Sequence, residues 1–314
     1  MPTVETVLGP VEASQLGFTL SHEHVTLSMG NDARHYPWRF DWEATRANAI
    51  RELSEAKAGG VGTIIELTTP DLGRDVTFMR DVARETGMHI VAATGIWRDV
   101  PRSFWARELD DIADIFVHEI EIGIEETGIK AGVIKVANDV GGVTPEGERV
   151  LRGAARACKR TGTPISTHHW APEQVGRRQV ELFALEGAPM DRIAIGHSGD
   201  STDVGYLEAL LKAGVYLSMD RYPGGPGRPS WEQRNETVKA LIERGWVERL
   251  MLGRDHAPTH VLKGRPGYTP SSPTRYLHLS TVAIPAMLAA GVSPEDVHTM
   301  TVDVPRRFLS GESD

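Results

Sequence analysis

Short apolar runs rich in β-branched residues alternate with longer amphipathic stretches along the chain. The eight runs are GFTLSH, GTIIELT, HIVAATG, AGVIKVA, PISTHH, IAIGHS, VYLSMD and LMLGRD. Each has the length of a strand and ends where polar residues begin. Nearly continuous apolar strands of this kind are typical of a parallel sheet whose faces are covered by helices.

The stretches between the runs carry helix signals. WEATRANAIRELSEAKAGG ends in glycines suited to a C-cap. TPEGERVLRGAARACKRTG opens with Thr144 as the N-cap and Pro145 at the first helical position. DVGYLEALLKAG and EQRNETVKALIERG follow the same plan.

Eight strand–helix units in 314 residues predict an α/β fold, a single (β/α)8 TIM barrel over residues 1–314. The opening stretch TVETVLGPVEASQLG predicts a short N-terminal hairpin. A doubly wound open sheet is the alternative, and a glycine-rich nucleotide loop after the first strand would favour it. No such loop is present, and PGGPGRP precedes no helix of the required type, so it is interpreted as an ordinary loop.

Composition narrows the classes of partner. The net charge of -9 and the pI near 5.8 argue against nucleic acid, which needs a basic surface. No apolar run approaches the length of a membrane span, and MPTVETVLGP lacks the basic and apolar regions of a signal peptide, so a cytoplasmic protein is expected. The single cysteine, Cys158, excludes an internal disulfide framework and lies in a helical pattern as a small buried residue.

Two histidines stand two residues apart at the end of the first run. Side chains alternate along a strand, so His22 and His24 project to one side and Glu23 to the other. At the carboxyl end of a barrel strand, the two imidazoles would point into the mouth, where barrel enzymes carry their chemistry. Alone, the pair is better explained as two polar residues on an exposed edge.

Residues that bind metals recur where four other runs end. These residues are Lys135, His168, His197 and Asp255. In a closed barrel the carboxyl ends of the strands form one ring, and imidazole and carboxylate groups are ligands for zinc, manganese, cobalt or iron. The recurrence therefore predicts a metal site at the carboxyl-terminal rim.

Taken in order, six motifs resemble the phosphotriesterase family of the amidohydrolase superfamily, in particular its lactonase-like branch. The resemblance runs nearly end to end and rests on SHEH, GVIKVA, ISTHH, IGHSGD, MDRY and the Arg254–Asp255 pair. It implies a homodimer and a centre of two divalent transition metal ions, with zinc foremost and cobalt, manganese or iron as alternatives.

The resemblance also implies the ligands of this centre. His22, His24 and Asp255 would hold the more buried ion, and His168 and His197 the more exposed one. Lys135, N6-carboxylated by carbon dioxide, would bridge both beside a bridging hydroxide. Burial lowers the pKa of a lysine, and a neutral amine can capture carbon dioxide. Lys135 and Asp255 are the candidate catalytic residues, with Asp255 shuttling the proton.

The implied function is a phosphotriesterase-like lactonase. It would open lactones, among them acyl-homoserine lactones, by attack of the bridging hydroxide, with promiscuous hydrolysis of organophosphate triesters. A phosphotriesterase or carboxylesterase proper on the same centre is the alternative. Candidate substrate contacts are Trp97, Arg221, Trp170 and His256. Trp97 departs from the branch, which carries a tyrosine there, and the residues after His168 and Asp255 also differ.

Three other interpretations stay open. Lys135 could form a Schiff base, but the histidines would then be idle. Ser198 in GHSGD resembles a nucleophile elbow, although Asp200 occupies the place of the second glycine. The chain could also be a non-catalytic barrel that binds a small molecule. Among neighbouring residues, we expect His169, Arg254 and His256 to face away from the metals, Asp200 to bind a ligand imidazole or cap a loop, and Trp231 to cover the barrel mouth.

Overall fold

The computed structural model of the chain describes residues 2–258, 260–264 and 274–312. In chain order the strands are β1 (Thr3–Thr6), β2 (Gly9–Glu12), β3 (Thr19–Glu23), β4 (Phe40–Asp41), β5 (Thr63–Glu66), β6 (His89–Ile96), β7 (Val133–Ala137), β8 (Ile165–His168), β9 (Ile193–Ile195), β10 (Tyr216–Met219), β11 (Leu250–Leu252) and β12 (Val261–Leu262). The α-helices are α1 (Asp32–His35), α2 (Trp42–Ala58), α3 (Val76–Thr86), α4 (Leu109–Glu121), α5 (Pro145–Thr161), α6 (Gly176–Leu185), α7 (Val204–Lys212), α8 (Trp231–Glu243), α9 (Ile284–Ala289), α10 (Pro294–His298) and α11 (Val304–Ser310).

Eight parallel strands form a nearly closed (β/α)8 barrel in which spatial order follows chain order. The sheet runs β3, β5, β6, β7, β8, β9, β10, β11, so all eight predicted runs are strands of one barrel. Beyond the last strand, the backbone N–H of Asp255 donates to the carbonyl of His22 (2.8 Å), and that of His24 donates to the carbonyl of His256 (2.9 Å). These bonds join the carboxyl ends of β11 and β3, next to the predicted metal site.

Local signals in the sequence place the helices as predicted. The Thr144 side chain accepts a hydrogen bond from the N–H of Gly147, and α5 ends at Gly162, whose φ of 75° suits glycine. Cys158 is buried in this helix. The β1–β2 hairpin is antiparallel, as expected, and the PGGPGRP segment forms a loop between β10 and α8.

Two apolar clusters leave the carboxyl-terminal end of the barrel free for chemistry. The larger one lies between the sheet and the surrounding helices. The smaller one combines interior strand residues such as Ile65, Val133 and Met251 with Val4 of the hairpin and Phe308 of α11. The hairpin and α11 thus pack on the amino-terminal end of the barrel. Among the helices of the described residues, none has both the length and the apolar character needed to cross a membrane.

A bulge in β3 sets the direction of its last residues. Leu20 pairs with Ile64 and Glu23 with Glu66, so three steps along β3 match two along β5. Ser21 and His22 can therefore both face the interior, where the Ser21 hydroxyl lies 2.8 Å from that of Ser218. Bulges of this kind often re-aim a side chain beside an active site.

Candidate metal centre and active site

Six predicted ligands from five different strand ends converge on one cavity at the carboxyl-terminal rim. The candidate ligand atoms of His22, His24 and Asp255 all lie within 4.8 Å of one another. The cavity has a volume of about 170 Å³. Its lining consists of His22, His24, Leu27, Met29, Leu72, Trp97, Lys135, His168, His197, Arg221 and Asp255.

The outer nitrogen of three imidazoles is held by a protein oxygen. Nδ1 of His22 and Nδ1 of His197 lie 2.9 and 2.8 Å from the two carboxylate oxygens of Asp220. Nδ1 of His24 lies 2.8 Å from the hydroxyl of Thr68. Such partners fix the tautomer of a ligating histidine and raise its basicity, because they accept a hydrogen bond from the N–H of the outer nitrogen.

The inner nitrogens contact one another, the amine of Lys135 and the carboxylate of Asp255. Nε2 of His22 lies 3.1 Å from Nζ of Lys135, and Nε2 of His197 lies 2.8 Å from Nδ1 of His168. Nε2 of His24 lies 3.2 Å from Oδ1 of Asp255. The lone pairs of these nitrogen and oxygen atoms thus point into one small cavity, where few hydrogen-bond donors are available to them.

Burial drives the nitrogen groups to their uncharged forms. It lowers the pKa of His22 to about 4 and that of His168 to about 3, and it lowers the pKa of His197 well below its usual range. It also lowers the pKa of Lys135 to about 7, although Asp255 and Asp220 act in the opposite sense. Neutral imidazoles and amines are the forms that bind metals or carbon dioxide.

Asp255 stays ionised in the same environment. Burial alone would raise the pKa of its carboxyl group, but His22, His24 and Arg221 hold that pKa well below its usual range. Neutral nitrogen ligands beside an anionic oxygen ligand form a donor set typical of a divalent transition metal. The residues present therefore fit a metal centre.

Three residues of the site hold a left-handed backbone conformation without being glycine. The φ angles are 62° at His197, 65° at Arg221 and 57° at Asp255. This conformation costs free energy for ordinary residues and clusters at functional sites, where the surrounding structure enforces it. Here it turns each side chain into the cavity just after a strand has ended.

Comparison with known proteins identifies the family. The model of the phosphotriesterase family matches residues 2–309. The chain belongs to the phosphotriesterase family. A phosphotriesterase homology protein of Mycobacterium tuberculosis is 43% identical over 320 residues, which cover 98% of each chain. An aryldialkylphosphatase of Saccharolobus solfataricus is 35% identical over 305 residues, which cover 96% of this chain and 97% of that one.

A solved structure supports the same assignment. The structure of the phosphotriesterase from Mycobacterium tuberculosis superposes with a TM-score of 0.89 at 41% identity and covers 98% of both chains. The protein is thus a phosphotriesterase-family hydrolase, and divalent metals are typical of this family. The family motifs quoted above contain every side chain that meets in the centre of the cavity.

Arg221 lies in the wall of the cavity, between the carboxylates of Asp255 and Asp200. Its Nε donates to Oδ2 of Asp255 (2.9 Å), and a terminal nitrogen donates to Asp200 (2.8 Å). Arg234 also donates to Asp200 (2.7 Å). The prediction that Asp200 binds an imidazole or caps a loop is therefore wrong, because its two oxygens serve these guanidinium groups.

Trp97 forms another part of the wall. Its indole N–H lies 3.3 Å from Nδ1 of His168, and the rings meet edge to face. The carboxylate of Asp71 accepts hydrogen bonds from the backbone N–H groups of Trp97, Arg98 and Asp99 (2.9–3.0 Å). The indole is thus anchored through the backbone that carries it.

Two of the expected substrate contacts are not brought to the cavity. Nε2 of His256 lies 2.7 Å from Glu52, and its ring packs edge to face on Tyr276. Its side chain faces the helices because it follows Asp255 directly, so a role in binding substrate does not fit its position. Trp170 precedes the short turn Ala171–Glu173 and is not part of the described lining.

The structure also places the residues named in the other interpretations. The hydroxyl of Ser198 is buried and donates to the carbonyl of Ile195 (2.7 Å), so it is not presented as a nucleophile. His169 faces away from the cavity, as alternation predicts, and binds Gly196 and Tyr206. Trp231 begins α8 and is not among the lining residues.

Asp220 is the main residue that the sequence analysis missed. It lies in MDRY, a quoted motif in which only Arg221 was singled out. An acidic residue that directly follows a buried strand on the same rim was an available signal. Thr68 and the apolar residues Leu27, Met29 and Leu72 carried no comparable signal, because they lie in loops whose course the pattern does not predict.

Proposed function

We propose that the protein is a metal-dependent lactonase of the phosphotriesterase family that works with two divalent transition metal ions. The observation that carries this proposal is the convergence of Lys135, Asp255 and the lone pairs of His22, His24, His168 and His197 in one cavity. The Schiff-base alternative for Lys135 has no use for the surrounding histidines.

In this proposal, the six side chains divide into two groups with Lys135 between them. His22, His24 and Asp255 would hold one ion, and His168 and His197 the other. Bound there, two divalent ions would polarise the attacked group and lower the pKa of a shared water. Lys135, with a pKa of about 7, is largely neutral at and above neutral pH. Its Nζ can then add to carbon dioxide and lose a proton, which gives a carbamate whose single negative charge is shared by two oxygens.

Asp255 is the group suited to receive the proton of the attacking water. Its Oδ1 faces His24 and its Oδ2 accepts from Arg221, so the carboxylate is ionised and fixed in orientation. Arg221 links it to Asp200, which is itself buried and also held by Arg234. This arrangement holds Asp255 at one side of the cavity, where a reacting oxygen would lie.

The remaining wall favours a neutral substrate. Leu27, Met29, Leu72 and Trp97 are apolar, and the guanidinium of Arg221 is already held by two carboxylates. No other arginine belongs to the described lining, so a strongly anionic substrate would find no unpaired guanidinium there. A cyclic ester with an apolar chain suits a cavity of about 170 Å³ that is lined by both polar and apolar side chains.

A neutral phosphotriester is the second candidate. The relative of 35% identity is named as an aryldialkylphosphatase, and Trp97 replaces the tyrosine that the lactonase-like branch carries. Both reactions develop negative charge on an oxygen of the attacked group, so one centre can serve both.

The test is a comparison of kcat/KM for acyl lactones of increasing chain length, an aryl dialkyl phosphate and simple aryl esters, with zinc-loaded enzyme. The lactone proposal expects lactones to exceed the phosphotriester by about 100-fold or more, a difference of about 2.7 kcal/mol in barrier. A higher value for the phosphotriester would replace the lactone as substrate and leave the metal proposal standing. Silence of zinc-loaded enzyme on all three classes would favour the non-catalytic barrel.

A further inference from the structure

Two carboxylates are buried on the outer face of the barrel, behind the cavity. Glu23 and Glu66 are paired neighbours on β3 and β5, and both are 0% exposed. Leu20 and Ile64, earlier on the same face of these strands, belong to the apolar core. Burying a carboxylate is costly unless hydrogen bonds compensate for the lost water, so their partners are informative.

Glu23 binds the backbone on both sides of Asp255. One carboxylate oxygen accepts from the N–H of Arg254 (2.7 Å), and the other accepts from the N–H of His256 (2.9 Å). The N–H of Asp255 itself donates to the carbonyl of His22 (2.8 Å). Three successive N–H groups are thereby tied to the His22–Glu23 segment, and this holds Asp255 in its left-handed conformation.

Glu66 acts on His24 through Thr68. Its carboxylate accepts from the N–H groups of Val25 and Thr68 (both 3.0 Å) and lies 2.5 Å from the Thr68 hydroxyl. Because the hydroxyl proton goes to Glu66, the Thr68 oxygen is left to accept from Nδ1 of His24 (2.8 Å). The lone pair of Nε2 of His24 is then directed into the cavity.

We propose that Glu23 and Glu66 are a pair of positioning residues that set Asp255 and His24 for a metal ion. Neither glutamate lines the cavity, and each acts through the backbone or a hydroxyl group. The inference rests on the proposed metal centre and assigns to the glutamate of the His-Glu-His motif a role distinct from that of a ligand.

Glutamine variants test the pair with little change of volume. In Glu23→Gln or Glu66→Gln, an NH2 group replaces one acceptor oxygen and faces a backbone N–H donor, so one of the two hydrogen bonds is lost. Metal-stripped protein is titrated with Zn²⁺ against a chromophoric chelator, and the visible spectrum is recorded after loading with Co²⁺. We expect one of the two ions to bind about 10–100-fold more weakly, with a changed cobalt spectrum, while the other ion keeps its affinity.

A matched control separates this effect from loss of stability. Glu119 is another largely buried carboxylate, which binds Arg74 through both oxygens (2.6 and 2.7 Å) away from the cavity. Glu119→Gln should lower the Tm but leave the Zn²⁺ titration and the cobalt spectrum as in the wild type.

A second pair of variants, at Thr68, tests the positioning of His24 even if a glutamine variant does not fold. Thr68→Ser keeps the hydroxyl between Glu66 and His24, whereas Thr68→Val removes it. Weaker Zn²⁺ binding in Thr68→Val with recovery in Thr68→Ser supports the inference. Wild-type Zn²⁺ affinity and cobalt spectrum in folded Glu23→Gln and Thr68→Val would overturn it. A wild-type protein that binds no Zn²⁺ would instead contradict the proposed function.

Discussion

Nζ of Lys135 lies 3.1 Å from Nε2 of His22, with both side chains at most 1% exposed. An amine and an imidazole at this distance cannot both be charged, and burial keeps both neutral at pH values above about 7. A neutral amine thus lies in the middle of the candidate metal ligands, and this is the form that the proposed reaction with carbon dioxide requires.

Reconstitution of the metal-free protein should depend on pH through Lys135. Below a pKa of about 7 the amine is protonated, and the neutral fraction falls about tenfold per pH unit. At a fixed concentration of dissolved carbon dioxide, the rate at which Zn²⁺ restores activity should thus rise between about pH 6 and pH 8 and then level off. Stopped-time assays after mixing measure this rate.

The same shift predicts a dependence of stability on pH. The pKa of Lys135 is lower in the folded state than the usual lysine value of 10.5, so the unfolded state binds more protons between about pH 7 and that value. The metal-free protein should therefore gain stability as the pH rises through this window, in comparison with Lys135→Met. Lys130→Ala is the control. Its reconstitution rate and its stability should depend on pH as they do in the wild type. A reconstitution rate that does not change with pH in the wild type would refute the role of the Lys135 amine.

Asp220 should control metal affinity without being in the cavity lining. Its carboxylate binds both Nδ1 of His22 and Nδ1 of His197, and it also accepts from the N–H of His197 (3.0 Å). Asp220→Asn offers one acceptor oxygen fewer, so both imidazoles lose orientation and Zn²⁺ should bind about 10–100-fold more weakly. Isothermal titration calorimetry of the metal-free protein with Zn²⁺ measures this affinity.

Asp203 provides the matched control for that variant. It caps α7 by accepting from the N–H of Tyr206. Asp203→Asn should change stability by no more than about 1 kcal/mol and leave Zn²⁺ affinity unchanged. Equal Zn²⁺ affinity in Asp220→Asn and wild type would contradict the orienting role.

Trp97 should limit the size of the substrate. It forms a wall of a cavity of about 170 Å³, and its backbone is fixed by Asp71. Trp97→Ala should raise kcat/KM for long-chain lactones relative to short ones by roughly tenfold, since a change of about 1.4 kcal/mol in fit is tenfold in rate. Trp105→Ala, at a Trp that is 45% exposed and outside the lining, should keep the wild-type ratio. An unchanged ratio in Trp97→Ala would count against contact with the acyl chain.

Ser198 distinguishes the metal mechanism from that of a serine hydrolase. Its buried hydroxyl donates to the carbonyl of Ile195, so Ser198→Ala should cost roughly 1 kcal/mol of stability through the lost hydrogen bond. The kcat should stay within about threefold of the wild type, a difference of less than 1 kcal/mol in barrier. A loss of several orders of magnitude in a folded Ser198→Ala would revive the nucleophile elbow.

Much of the barrel follows from local pattern. Strand alternation, cap residues such as Thr144 and the recurrence of ligand types at strand ends suffice to predict the eight strands and the rim on which six candidate ligands meet. The pattern fails where the backbone leaves the extended conformation. Asp220 and Arg221 are adjacent, yet both act on the site, because the backbone of Arg221 is left-handed. Strand alternation alone would send their side chains to opposite sides.

The bulge in β3 could not be predicted either, because it depends on pairing with a strand that is distant in the chain. It appears only in the register with β5 and lets Ser21 and His22 share the interior. The carboxylate roles of Asp220, Glu23 and Glu66 depend on partners distant in the chain, which periodicity cannot reveal. The homodimer and the cytoplasmic location stay predictions.

Removal and return of metal tests the central claim most directly. The enzyme is stripped with a chelator, its metal content is checked by elemental analysis, and lactone hydrolysis is followed as Zn²⁺ is added back with bicarbonate. The account predicts loss of activity on stripping and full recovery at two equivalents of Zn²⁺ per chain, with no recovery in Lys135→Met. Full activity in protein that contains no metal would contradict it.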